Sequence, residues 1–186
     1  GATGSAILAK NGTVVSEHHW GYSNISKKSE ISSQNVFNIG SVSKQFTGFL
    51  VLLLQQRGDI SLQSSVSDYL TEFENTKIGN IRLKNLVQMK TGLPENEPVV
   101  SKIWFQITDK DFKNSEIIEE IKKYELEFTP GEKYQYSNVA FTLLGMIVEK
   151  VTGASLSQAL KQYIFVPFYM NNSYLEVPKR HNPAQS

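Results

Sequence analysis

Cysteine is absent from the 186 residues. That excludes disulfides, thiolate nucleophiles and Cys-ligated metals. Histidine is scarce, and His18, His19 and His181 are the whole supply. Adjacent residues of a strand face opposite ways, so only one of His18 and His19 can serve a given site, and His181 sits in a polar tail. A Ser-His-Asp triad or a zinc site therefore has little material. Charge of one sign is also missing. The 19 basic residues stand against 18 acidic ones, a formal net charge of +1, with no long block of either sign. Nothing in that balance suggests a nucleic-acid partner. The longest unbroken apolar run, Phe49 to Leu54, falls far short of the roughly 20 residues of a membrane span. No signal-peptide pattern is visible.

What is present is a globular composition, with 40% hydrophobic and 20% charged residues, and a length suited to one ordinary domain. "SAILAKNGTVVSEHHWGY" reads as a β-hairpin, because Asn11-Gly12 supplies the positive φ angles of a tight primed turn. One hairpin alone is marginal in water, so it must join a larger sheet or pack on helices. The polar residues 21–36 read as a loop. A helix is expected from Val42 to Arg57, closed by Gly58, with apolar residues around nearly its whole circumference, hence buried on all sides. "VSDYL" and "IRLKNLVQM" read as short helices, and residues 95–113 as irregular. "NSEIIEEIKKYEL" is an amphipathic helix capped by Asn114 or Ser115. "VAFTLLGMIVEKVTG" is a second largely apolar helix, stopped at Gly153, and "SLSQALKQYIF" a last one, ended by Pro167. The expected organisation over 1–186 is a hairpin and loop at 1–36, a mainly helical region at 37–170 and a tail at 171–186. Helices this apolar call for a covering sheet larger than the single hairpin.

Two polar clusters interrupt this pattern. Ser41 and Lys44 open the apolar helix inside "FNIGSVSKQFTGFLVLLLQQ". Side chains three apart share a helix face. The bland reading makes Ser41 a cap and Lys44 a snorkelling surface residue. The functional reading makes Ser41 a nucleophile, favoured by the positive end of the helix and by a neighbouring amine. Further on, "PGEKYQYSNVAFTLLG" places Tyr136, Ser137 and Asn138 on a loop that opens the second apolar helix. A phenol is a poor base at neutral pH unless a cation lies close, and Lys44 is the obvious candidate. The bland reading makes Asn138 the helix cap.

Five blocks in order, "GSAILAKNGTVVSEHHWGYSN", "FNIGSVSKQFTGFLVLLLQQRGDISLQSSVSDYL", "IRLKNLVQMKTGLP", "FTPGEKYQYSNVAFTLLGMIVEKVTG" and "YIFVPFYMNNS", resemble the serine β-lactamase and penicillin-binding-protein superfamily. The likeness is to the branch of class C β-lactamases, D-alanyl-D-alanine carboxypeptidases and related esterases. It implies an α+β, β-lactamase/transpeptidase-like fold, mostly the helical region plus an N-terminal hairpin. It also implies Ser41 as the nucleophile of an acyl-enzyme, Lys44 as tuner of proton transfer, Tyr136 as general base and acid, and Asn138 as binder of the substrate carbonyl. The backbone N–H of Ser41 would supply half of an oxyanion hole. Small-molecule or peptide substrates (β-lactam, D-alanyl peptide or ester), no cofactor, no metal and a periplasmic or secreted location, with the cytoplasm as alternative, complete the implication. The competing reading is a non-catalytic binding or assembly module on the same scaffold.

Two look-alike triplets are set aside. "YSN" at Tyr22–Asn24 precedes the serine motif and reads as a strand end and turn. "KTG" at Lys90–Gly92 copies the superfamily's third motif, which belongs after the tyrosine motif; here it precedes it and reads as a turn. No Lys/His-x-Gly triplet follows Asn138. The expectation is thus a partial chain whose C-terminal sheet strands are missing, whose turnover is impaired, and whose site a complementing chain or segment would complete. Trp20, Trp104 and Phe105 are candidates to line a cleft, with core packing the commoner role for such residues.

Overall fold

A computed structural model describes residues 2–95 and 114–175. The chain divides into two compact units, Gly1–Gly40 and Ser41–Ser186. The irregular reading of 95–113, with Trp104 and Phe105, lies almost wholly outside the described residues, as does His181.

In the first unit, β1 (Gly4–Lys10) and β2 (Thr13–Trp20) pair antiparallel. The turn residues Asn11 and Gly12 have φ of 50° and 77°, the primed geometry expected of Asn-Gly. A bulge at Leu8/Ala9 shifts the register. Ile7, Leu8, Val14 and Val15 are all exposed, so neither face of the ribbon is sealed. The loop expected at 21–36 contains a second small ladder, β3 (Tyr22–Asn24) against β4 (Ser29–Glu30). Its turn is built from side chains rather than apolar pairs. Asn24 Oδ1 accepts from Lys27 N at 2.9 Å, and Ser23 Oγ donates to Ser29 O at 3.0 Å. Polar residues that satisfy a tight turn look like loop in a hydropathy pattern.

The second unit is helical. A 3-10 turn at Gly40–Ser43 runs into α1 (Lys44–Gln56). After Gly58, at φ 82°, the chain folds back and Asp59 N bonds Leu54 O at 2.9 Å. "VSDYL" forms only a 3-10 turn at Val66–Asp68, where the Asp68 carboxylate accepts from Ser65 N at 2.7 Å. The second short helix narrows to α2 (Leu83–Val87), which ends as Met89 takes a φ of 53°. Next come α3 (Asn114–Ile121), α4 (Asn138–Thr152) and α5 (Leu156–Leu160), the last continuing into a π turn at Lys161–Phe165. Gly153 ends α4 in the left-handed conformation, with φ 66°. Ser155 and Gln158 form the capping box that starts α5.

The core lies where α4 packs on α1, α2 and α5. Val139, Ala140 and every residue from Leu143 to Val148 are buried on α4, so this helix is apolar all round because it is enclosed. Helix α1 departs from that expectation. Only Thr47, Leu50, Val51 and Leu54 are buried, the i, i+3, i+4, i+7 stripe of a one-sided contact. Phe49 and Leu52, on the other side, are 40% and 46% exposed. Each Leu or Ile sealed in the core contributes about 1.5–3 kcal/mol, so these two leave stabilisation unused. Among the described residues, no single helix is long and apolar enough to cross a membrane.

Candidate active site

The serine turn is shaped by its neighbours. Asn38 Oδ1 accepts from the N–H of Gly40 at 2.8 Å, and Gly40 has a φ of 52°, which glycine tolerates best. The chain then enters α1 without a break. Ser43, the residue in the cap position, is already helical and makes no side-chain cap bond. The Ser41 hydroxyl is directed elsewhere. Its Oγ accepts from Lys44 Nζ at 3.1 Å and lies 2.8 Å from the phenol oxygen of Tyr136, 95 positions along the chain. Ser41 is exposed and Lys44 half-buried. Lys44 Nζ is also 5.0 Å from the centroid of the Tyr136 ring, within cation–π range.

Tyr136 owes its place to backbone bonds. The Met89–Gly92 turn after α2 holds the loop that leads to it: Glu127 N donates to Gly92 O at 2.7 Å, Gly131 N to Lys90 O at 2.7 Å, and Gln135 N to Met89 O at 2.9 Å. The Gln135 amide adds bonds to Leu93 O at 3.2 Å and Glu127 Oε2 at 2.7 Å. Lys90–Gly92, the misplaced copy of the third motif, is thus a turn that clamps this loop.

The cap of α4 is Ser137, not Asn138. Ser137 is fully buried, extended at φ −143°, and its Oγ accepts from Ala140 N at 3.1 Å. Asn138 is therefore the first helical residue, and its Oδ1 accepts from the Tyr136 phenol at 3.2 Å. Ser137→Ala is expected to lower stability by about 1 kcal/mol, read as a lower urea midpoint at unchanged m-value.

Packing of α1 on α4 brings Ser41, Lys44, Tyr136 and Asn138, named from sequence alone, into one cluster. In the first unit, His18 and His19 are engaged by their own neighbours. His19 bonds Ser5 Oγ through Nδ1 at 2.7 Å and approaches Glu17 through Nε2 at 3.0 Å, while His18 stacks on Trp20. Sequence reasoning missed the capping role of Ser137, the parts of Gln135 and Glu127, and the Met89–Gly92 clamp. The Ser before Asn138 carried a usable capping signal; backbone carbonyls carry none.

An apolar two-helix core bearing a Ser-x-x-Lys turn against a Tyr-x-Asn loop is the arrangement of the serine β-lactamase and penicillin-binding-protein class. The family model described as Beta-lactamase matches residues 2–186, and the chain belongs to that family. Protein flp of Staphylococcus aureus strain MW2 is 30% identical over 172 residues, covering 91% of this chain and 34% of that protein. A β-lactamase/D-alanine carboxypeptidase structure from Pseudomonas syringae superposes with a TM-score of 0.79 at 25% identity, over 94% of this chain and 46% of that one. An octameric penicillin-binding protein homologue from Pyrococcus abyssi gives 0.76 at 26% identity, over 90% and 39%. The chain spans less than half the length of each of these proteins.

Proposed function

We propose that this chain carries the nucleophile-bearing part of a serine hydrolase that acts by acyl transfer on amide or ester bonds. One observation carries the reading: a single oxygen, Ser41 Oγ, lies 3.1 Å from an amine and 2.8 Å from a phenol. Two proton-handling groups on one hydroxyl are what an activated nucleophile needs.

In this reading Ser41 Oγ attacks the substrate carbonyl carbon as its proton passes to the ionised Tyr136 oxygen. Lys44, whose Nζ donates to Ser41 Oγ, stabilises the negative charge on both oxygens. The tetrahedral intermediate collapses as Tyr136 returns the proton to the leaving nitrogen or oxygen. The bond to the leaving group breaks, and an ester to Ser41 remains. Water then repeats the sequence and releases the acid. The Asn138 amide, beside the phenol, binds the carbonyl of the substrate's own amide. The first N–H groups of a helix lack intrahelical acceptors, so that of Ser41 suits a developing oxyanion. No cofactor enters these steps. The relatives' names point to β-lactams and D-alanine peptides as substrates, and simple esters are a third class carried by the sequence resemblance alone.

The second reading is a non-catalytic binding or assembly module on the same scaffold. Incubation with a fluorescent penicillin separates the readings. The hydrolase reading expects covalent label on the wild-type chain and none on Ser41→Ala. Label that persists in Ser41→Ala overturns it. A folded protein that takes no label supports the module instead.

A further inference from the structure

A cavity of about 580 Å³ lies on the second unit, between the 77–90 segment and the loop at 126–131. Its lining brings together Lys77, Arg82, Lys84 and Lys90, and includes no carboxylate. None of Ser41, Lys44, Tyr136 and Asn138 lines it. In a protein of net charge +1, this is a local concentration of one sign.

Several other cations of this unit find acids, though among the described residues Lys150 and Lys161 do not. Arg57 pairs with Asp59, Lys122 with Glu119, and Lys123 with Glu120. At the cavity only Lys77 does so, with Glu125 at 2.6 Å. Among the described residues, Arg82, Lys84 and Lys90 have no carboxylate partner. Like charges held together repel, and an anion between them removes that repulsion. Asn85 and Gln88 add neutral amide donors to the same wall. The wall opposite is fixed, because Gly131 N bonds Lys90 O at 2.7 Å. A planar guanidinium, point-charge ammonium groups and amide N–H groups around one space suit the several oxygens of a phosphate better than a single carboxylate. We propose that this cavity binds a small phosphate-bearing anion, independently of the chemistry at Ser41.

The test is calorimetric titration of the full 186-residue chain with inorganic pyrophosphate at low ionic strength. One saturable site is expected, weakened roughly tenfold or more in the Arg82→Gln/Lys84→Gln double variant. The pair Lys150→Gln/Lys161→Gln, exposed elsewhere, is expected to bind as the wild type does. Should the first double variant lose its far-UV circular dichroism, Lys90→Gln takes its place with the same expectation. Heat without saturation, or equal loss in both pairs, overturns the proposal. Citrate binding as tightly as pyrophosphate also overturns it, since the cavity would then select charge and not phosphate.

Discussion

Lys44→Met is expected to slow acylation of Ser41 by about 100- to 10,000-fold, the range found when a positioned proton-transfer group is removed. The substitution keeps an unbranched apolar stem of similar volume, so the half-buried start of α1 keeps its packing. What disappears is the amine 3.1 Å from Ser41 Oγ and the charge 5.0 Å from the Tyr136 ring. Without them the serine proton must leave toward a phenol with no cation at its face. Tyr136→Phe is expected to cost a similar factor, because it removes the oxygen 2.8 Å from the nucleophile and keeps the ring. The double variant decides whether the groups act as a unit. Two groups serving one oxygen give a loss far smaller than the product of the single losses. The measurement is the pseudo-first-order rate of covalent labelling by a fluorescent penicillin, with circular dichroism as the folding control. Wild-type labelling by Lys44→Met, or losses that simply multiply, would sink the shared-proton account.

The parts of this fold that were legible in the sequence are those in which side-chain type dictates geometry. Asn11-Gly12 announced a primed turn because few other pairs tolerate two positive φ angles. Gly153 announced the end of α4 for a similar reason. Ser41, Lys44, Tyr136 and Asn138 were legible through the order of five blocks, not through their spacing; a serine three residues before a lysine is a common accident. Other features were hidden for physical reasons. The β3–β4 ladder is held by Asn24 and Ser23, whose polarity mimics a loop. Helix α1 is apolar all round, which says that its faces suit burial and not which elements cover them. Among the described residues, the side bearing Phe49 and Leu52 is only partly covered, Phe49 meeting Phe168 edge-on. The division at Gly40 and Ser41, beside the expected limit at 36–37, falls within a turn that no composition change marks.

The clamp that positions Tyr136 was the least legible feature, and it yields the second large prediction. Gly92 is buried at a φ of 80°, and a Cβ there would run into the carbonyl oxygen of Phe128. Gly92→Val therefore combines left-handed backbone strain, about 1–3 kcal/mol for a residue with a side chain, with overpacking, about 1–3 kcal/mol more. A loss of roughly 3 kcal/mol or above is expected from the usual 5–15 kcal/mol of a domain. It should appear as a lower denaturant midpoint. The strain does not spread evenly. The Gly92 carbonyl accepts from Glu127 N, and Glu127 in turn anchors Gln135, next to Tyr136. Relief comes by parting the Met89–Gly92 turn from the 127–135 segment, which moves the phenol away from Ser41. Gly92→Ala, with the same clash but a smaller side chain, is thus expected to slow labelling at temperatures where it is still folded. Should Gly92→Ala match the wild type in both midpoint and labelling rate, the turn is dispensable, and Tyr136 must owe its position to the cap of α4 at Ser137 alone.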